Sequence, residues 1–295
     1  MRRMHAPLLL AILAAVGSGQ LAPRVQFIIT GFGPGQPFRE PQALTIEGRS
    51  GTIYVADTGN DRVLAFSPQG LPLLQVATPR PLGVAATPDR IFVSDGARVK
   101  VFSRTGSAED TLNLLQAGPE GTVTPHRLAA DEDGHVYVAD ARGGQVLKFD
   151  SQGMLQIRFG RLGDGPGAFR MIAGLAVDRL GRIYVADSLG IPVQVFDRAG
   201  RYLTGLGVRS AGPEGFAFPT GVAVDRMDRI WIADQQLHQV KGVDLAGRFL
   251  GAVGAYGLRE GQLFFPTDVA TDGFGRLHVL EKGANRLQVF QLDRP

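Results

Sequence analysis

Tyr54-Val55-Ala56-Asp57 recurs as Phe92-Val93-Ser94-Asp95, Tyr137-Val138-Ala139-Asp140, Tyr184-Val185-Ala186-Asp187, Trp231-Ile232-Ala233-Asp234 and His278-Val279-Leu280-Glu281. From acid to acid the steps are 38, 45, 47, 47 and 47 residues. A period of this size marks stacked supersecondary units, because one unit alone cannot bury its apolar face. The fold class follows from that spacing. Function must be argued from the loops grafted onto the scaffold.

The residues around the fifth copy define the unit. Pro219 to Asp225 reads as a short apolar strand, Arg226 to Arg229 as a tight turn, and Ile230 to Asp234 as a second strand. A loop leads to a third strand, Val240 to Asp244, and Leu245-Ala246-Gly247 turns the chain into a fourth, Arg248 to Val253. Strands of about five residues between Gly, Asp and Asn turns form antiparallel meanders, and four per unit make a propeller blade. The expectation is an all-β, six-bladed β-propeller with four-stranded antiparallel blades. The sixth unit lacks its outer strand, while Arg24 to Gly31 belongs to no unit. The N-terminal strand is therefore expected to complete the last blade, removing sheet edges that would otherwise pair with other chains.

The repeat fills nearly all of the 295 residues, so residues 24–292 read as one domain. Apolar residues are 44%, enough for a core, and Gly (40) with Pro (18) supply the many turns without reaching a disordered composition. Residues 1–19 have the layout of a signal peptide: Arg2 and Arg3, an apolar run from Ala6 to Gly17, then small residues. Cleavage is expected after Ser18 or Gly19, with an uncleaved N-terminal anchor as the alternative. The chain is expected to be exported, periplasmic or extracellular. Net charge is +3, two of it in the leader, which argues against nucleic-acid binding. With no cysteine, disulfides and thiolate metal sites are excluded.

The repeated pattern Pro-x-x-[Val/Leu]-Ala, followed by a stretch matched best by Asp57-Thr58-Gly59-Asn60-Asp61-Arg62-Val63-Leu64-Ala65-Phe66, resembles the NHL-repeat β-propellers. The resemblance runs over residues 24 to 292. The Asn-x-Arg part is missing from units three to five, and in unit six Ala284-Asn285-Arg286 puts Asn one residue late.

Blade connectivity sorts the loops onto two faces. Turns within strand pairs one–two and three–four are short and uniform. The opposite face carries the long Gly-rich segments Phe159 to Arg170, Leu206 to Phe218 and Val253 to Phe265. Long variable loops on a rigid scaffold are where binding usually resides. The six acids end on this face, and a residue repeated in every blade is expected to cap its own loop. The same argument covers Glu47, Asp131, Asp178, Asp225 and Asp272 at the opposite turns. Asp131-Glu132-Asp133-Gly134 is too short for a calcium loop.

Residues that break the repeat are more informative. Just after the leading residue of each inner strand, Pro in all units but the fourth, stand Gln42, Leu82, His126, Ala173, Thr220 and Thr267, followed by Ala43, Gly83, Arg127, Gly174, Gly221 and Asp268. Gln42, His126, Arg127, Thr220, Thr267 and Asp268 are the candidate ligand-binding residues at the channel mouth. Arg127 and Asp268 belong to opposite blades and suit a polar or anionic ligand or a channel-closing ion pair. Among proteins similar to NHL propellers, the peptidylglycine amidating lyases hold zinc on several channel-facing histidines. Here His126, His135, His238 and His278 occupy four different slots of the repeat. No catalytic residue, resident metal or other cofactor is expected. The sequence reads as a monomeric binding scaffold for a protein, peptide or glycan, with no nucleic-acid partner and no membrane contact beyond the possible anchor. A lyase or hydrolase with a divalent ion at the channel mouth is the alternative.

Overall fold

A computed structural model describes residues 23–292. The proposed leader, residues 1–19, lies outside the described residues. The chain forms six four-stranded antiparallel sheets arranged as propeller blades. Blades one to five span residues 43–77, 83–111, 125–159, 172–206 and 219–253. Blade six combines Pro266–Thr271, Arg276–Glu281 and Arg286–Gln291 with the N-terminal strand Arg24–Ile29. That strand pairs antiparallel with Arg286–Gln291, from Arg24 opposite Gln291 to Ile29 opposite Leu287. The ring thus closes by hydrogen bonds between the two ends of the described chain.

The core is six layers, one between each pair of neighbouring blades. Second strands such as Ile53–Asp57, Ile183–Asp187 and Ile230–Asp234 are buried along their whole length, which explains their unbroken apolar runs. Outer strands face solvent on one side, and Leu155–Phe159 shows the alternation this produces. At the seam, Ile29, Leu287 and Val289 of blade six pack against Leu44, Val55 and Phe66 of blade one.

A second regularity stabilises the short-turn face. The turn acid accepts a bond from the polar tip of the aromatic residue six positions later. Tyr184 Oη donates to Asp178 at 2.9 Å, Trp231 Nε1 to Asp225 at 3.0 Å, and Tyr137 Oη to Asp131 at 3.0 Å. The Arg four positions after the acid closes the turn, as in Arg182–Asp178, Arg229–Asp225 and Arg276–Asp272. His278 fills the Tyr slot of blade six, with Nε2 2.9 Å from Asp272 Oδ2. In blade two Thr87 stands in place of the acid, and the aromatic residue is Phe92, which has no polar tip to donate.

Candidate functional site

Except in blade two, the acids that end the second strands tie each blade to the loop that reaches it from the previous blade. Asp187 accepts the backbone N–H groups of Arg170 (2.8 Å) and Met171 (2.9 Å), and Asp234 accepts those of Ala217 (2.7 Å) and Phe218 (3.1 Å). Asp57 binds Arg39 N and Glu281 binds Phe264 N in the same way. They also cap their own loops, as Asp187 does for Leu189 and Gly190. Asp140, Asp187 and Asp234 thus hold two loops and not their own alone, whereas Asp95 caps its own loop, at Ala97 N and Arg98 N, as the sequence suggests.

The missing Asn-x-Arg motif has local substitutes. Arg62 and Arg286 pair with Asp57 and Glu281 and donate to carbonyls of the arriving loop, among them Pro37 O and Gln262 O. In blade four Gln194 Nε2 reaches Ala168 O at 2.7 Å instead. In blade five the buried Lys241 Nζ binds Gly215 O at 2.5 Å and Gly212 O at 3.2 Å. Asn285 is not a displaced Asn60. It is equivalent to Asp61, and His238 is the third member of that set. All three have positive φ (51°, 55° and 49° for Asp61, His238 and Asn285). Each accepts the backbone N–H of the residue preceding a leading Pro, and that residue also has positive φ. Asp61 holds Arg80 at 2.8 Å, Asn285 holds Glu40 at 2.8 Å, and His238 Nδ1 holds Phe265 at 3.1 Å.

At the channel, the inner strands carry a one-residue bulge next to the leading residue. Pro219 pairs with Asp234 and Gly221 with Ala233, and blades three, four and six shift likewise. A bulge re-aims side chains that strict alternation would bury in the blade. The structure brings Arg127 and Asp268 together and buries both, their Nη1 and Oδ2 atoms 4.0 Å apart. Arg127 Nε donates to Ala173 O at 2.7 Å, and Nη1 donates to Gln42 O. Asp268 accepts the N–H groups of Leu44 and Val269, both at 2.9 Å. The pair is thus a plug that bonds to blades one and four besides its own. Neighbouring strands approach too closely for other side chains. A Cβ on Gly221 would lie 2.6 Å from Asp268 Oδ1, and one on Gly174 would lie 2.9 Å from Gly221 Cα.

Thr220 and Thr267 are buried beside the plug, and Thr220 Oγ1 donates to Pro266 O at 3.2 Å. Gln42 and His126 are half-buried. His126 Nδ1 is buried without a partner among the described residues. Burial, then the Arg127 charge, lowers the His126 pKa to about 4, so the ring is neutral at pH 7. Burial raises Asp268 to about 6 against the opposing pull of Arg127.

Beyond the plug, on the short-turn face, the channel opens into a cavity of about 610 Å³ lined by turn residues including Glu47, Asp131, Asp178, Asp225 and Asp272. Asp131, Asp133 and His135 sit on its wall with ligand-type atoms within 4.8 Å of one another. Asp131 is already occupied by His135 and Tyr137. The four histidines do not converge: His126 lines the channel, His135 the cavity wall, His238 the long-loop face and His278 the core of blade six.

Residues 122–149 match the model of the NHL repeat, and residues 179–253 match a family described as a 6-bladed beta-propeller, DUF5128. The chain is a six-bladed β-propeller that carries an NHL repeat in its third blade. Over 129 residues, 39% of its length, this propeller is 30% identical to peptidyl-glycine alpha-amidating monooxygenase B of Xenopus laevis. The match spans 15% of that relative. Among solved structures, a protein of unknown function from Bacteroides thetaiotaomicron superposes with a TM-score of 0.68 at 16% identity, covering 94% of this chain and 74% of the other. Virginiamycin B lyase from Staphylococcus aureus gives 0.62 at 12% identity, covering 86% and 80%. At these identities the two structures bear on the fold alone.

The aromatic cluster around His238 and the short-turn cavity were not among the sequence candidates. A signal for the first was available: before successive inner strands stand Glu40, Arg80, Thr124, Met171, Phe218 and Phe265, and apolar residues gather in blades four to six.

Proposed function

We propose that this propeller is an exported binding scaffold that engages a protein, peptide or glycan through its long-loop face. The observation that carries this is the set of exposed apolar side chains on loops that are otherwise firmly held. Leu162, Met171, Leu189, Val208, Tyr256, Leu258 and Phe265 are all exposed there. Their loops are anchored by buried Phe169, Phe216 and Leu263 and by the acid bonds described above. Apolar groups displayed on a rigid surface mark interaction sites. The half-buried Gln42 and His126 border the same face and add polar groups near its centre.

The test is capture of partners from the exported fraction of the native cell by the immobilised mature chain. Replacing Leu162, Val208 and Tyr256 together with Ser is expected to abolish capture. Replacing Leu180 and Phe274 on the opposite face is expected to leave it intact. Capture that survives the first set and fails with the second would move the site to the short-turn face.

The second reading, a divalent-metal lyase or hydrolase, draws support from the amidating-monooxygenase relative and from Asp131, Asp133 and His135. Those three residues fit an O- and N-liganded divalent ion at the cavity wall, on the far side of the Arg127–Asp268 plug. Elemental analysis of protein purified without chelators separates the readings. Stoichiometric metal that disappears in Asp133→Ala would favour the enzyme.

A further inference from the structure

The junction between blades five and six carries aromatic groups that its structural role does not require. The clasp shared by three junctions needs one side-chain acceptor and one backbone N–H. At two of them the residue donating that N–H is Arg80 or Glu40; here it is Phe265, with φ +50°. A bulky side chain at positive φ is an outlier, and such strain tends to persist at ligand sites. Phe265 is nevertheless 41% exposed, beside Tyr256 at 67% and Leu258 at 64%.

The rings have a defined arrangement. His238 stacks on Phe264 with centroids 5.7 Å apart and planes at 12°. Tyr256 and Phe265 each stand edge-on to His238, at 4.9 and 4.8 Å, and each also touches Phe264. Because His238 Nδ1 accepts the Phe265 N–H, the proton of the neutral ring sits on Nε2. Burial lowers the His238 pKa and favours that neutral form. Nε2 makes no hydrogen bond among the described residues, and the ring is half-buried. The result is a pair of exposed aromatic side chains against a neutral ring that keeps one N–H donor unused.

We propose that His238, Tyr256 and Phe265 form a slot for an extended, proline-bearing peptide. This rests on the long-loop binding reading and deepens it. A polyproline II segment packs its rings on aromatic side chains, offers carbonyls and no proline N–H, and arrives already ordered. The slot complements it with aromatic faces and a donor. Lys282, whose N–H is held by Phe265 O, and Arg259, next to Leu258, pair with no carboxylate among the described residues. Their charge favours an acidic residue beside the proline.

The probe is a fluorescein-labelled peptide of three Asp-Pro-Pro repeats, read by anisotropy on the mature chain, with three Asp-Ala-Ala repeats as control. The first peptide is expected to bind saturably and the second at least tenfold more weakly. Phe265→Arg, which installs the residue type found at position 80, and Tyr256→Ser are each expected to weaken binding at least tenfold with an unchanged melting temperature. No binding by the wild-type protein, equal binding of both peptides, or affinity unaffected by both variants overturns the slot. Displacement by unlabelled cellohexaose would assign it to a glycan and also overturn the proposal. Should the peptide fail while partner capture still depends on Leu162, Val208 and Tyr256, the slot is wrong and the broader reading stands. Should capture survive those substitutions, the broader reading itself fails.

Discussion

Arg127 Nη1 lies 4.0 Å from Asp268 Oδ2, and this buried pair closes the channel between blades three and six. The guanidinium satisfies carbonyls of blades one and four at the same time, so it links parts of the ring distant in sequence. Removing one partner of a buried pair leaves the other charge uncompensated, whereas an apolar isostere avoids part of that penalty by filling the space. Arg127→Ala is expected to destabilise the domain by about 3–5 kcal/mol, and Arg127→Met by less. Urea unfolding checks both. An Arg127→Ala protein as stable as the wild type would mean the pair is not a structural plug.

The pH dependence of this cluster has two opposing parts. The folded pKa of Asp268 is raised to about 6, so the native state holds the proton more tightly than the unfolded chain. That contribution is full at low pH and is lost as pH rises from about 4 to about 6. His126 is depressed to about 4, so the unfolded chain binds the proton more tightly and stability rises with pH up to the ordinary histidine range. Relative to the wild type, Asp268→Asn should therefore gain stability as pH increases from 4 to 6, and His126→Gln should lose it. Denaturation midpoints at pH 4, 5, 6 and 7 give the two slopes. Slopes of the same sign would contradict the assignment.

The clasp at His238 needs an acceptor at Nδ1 and tolerance of positive φ, which Asn also provides, as position 285 shows. His238→Asn is expected to retain stability within about 0.5 kcal/mol, and His238→Ala to lose about 1 kcal/mol for the missing hydrogen bond. Thermal unfolding distinguishes them. Equal losses in both variants would mean that ring packing, not the bond, holds the junction.

Ring closure depends on the N-terminal strand. Deleting residues 24–31 exposes the edge of Arg286–Gln291 and removes Ile29 from the seam. The expected outcome is cooperative loss of the native fold at lower denaturant concentration, with concentration-dependent association through the exposed edge. Light scattering alongside urea unfolding reads both. A truncated chain that melts like the intact one would place the stabilising closure elsewhere.

The sequence by itself determined the blade count, the strand order and the seam, because each depends on a pattern repeated six times or on one strand missing from a repeat. It also singled out Arg127 and Asp268, since large polar residues stand out among Ala43, Gly83, Gly174 and Gly221. Their burial was decided only in three dimensions. How far a side chain lies below a channel mouth depends on how closely the inner strands converge, and the glycines that permit this approach carry no signature of its depth. The roles of His278 and His238 were also tertiary. An imidazole can replace a Tyr hydroxyl as donor or an Asn oxygen as acceptor, and only the partner it meets, Asp272 in one case and the Phe265 N–H in the other, decides which. Lys241 and Gln194 likewise stand in for an absent Arg from a different strand position, because what the loop carbonyls require is a donor at a point in space, and several residues of the chain can reach it.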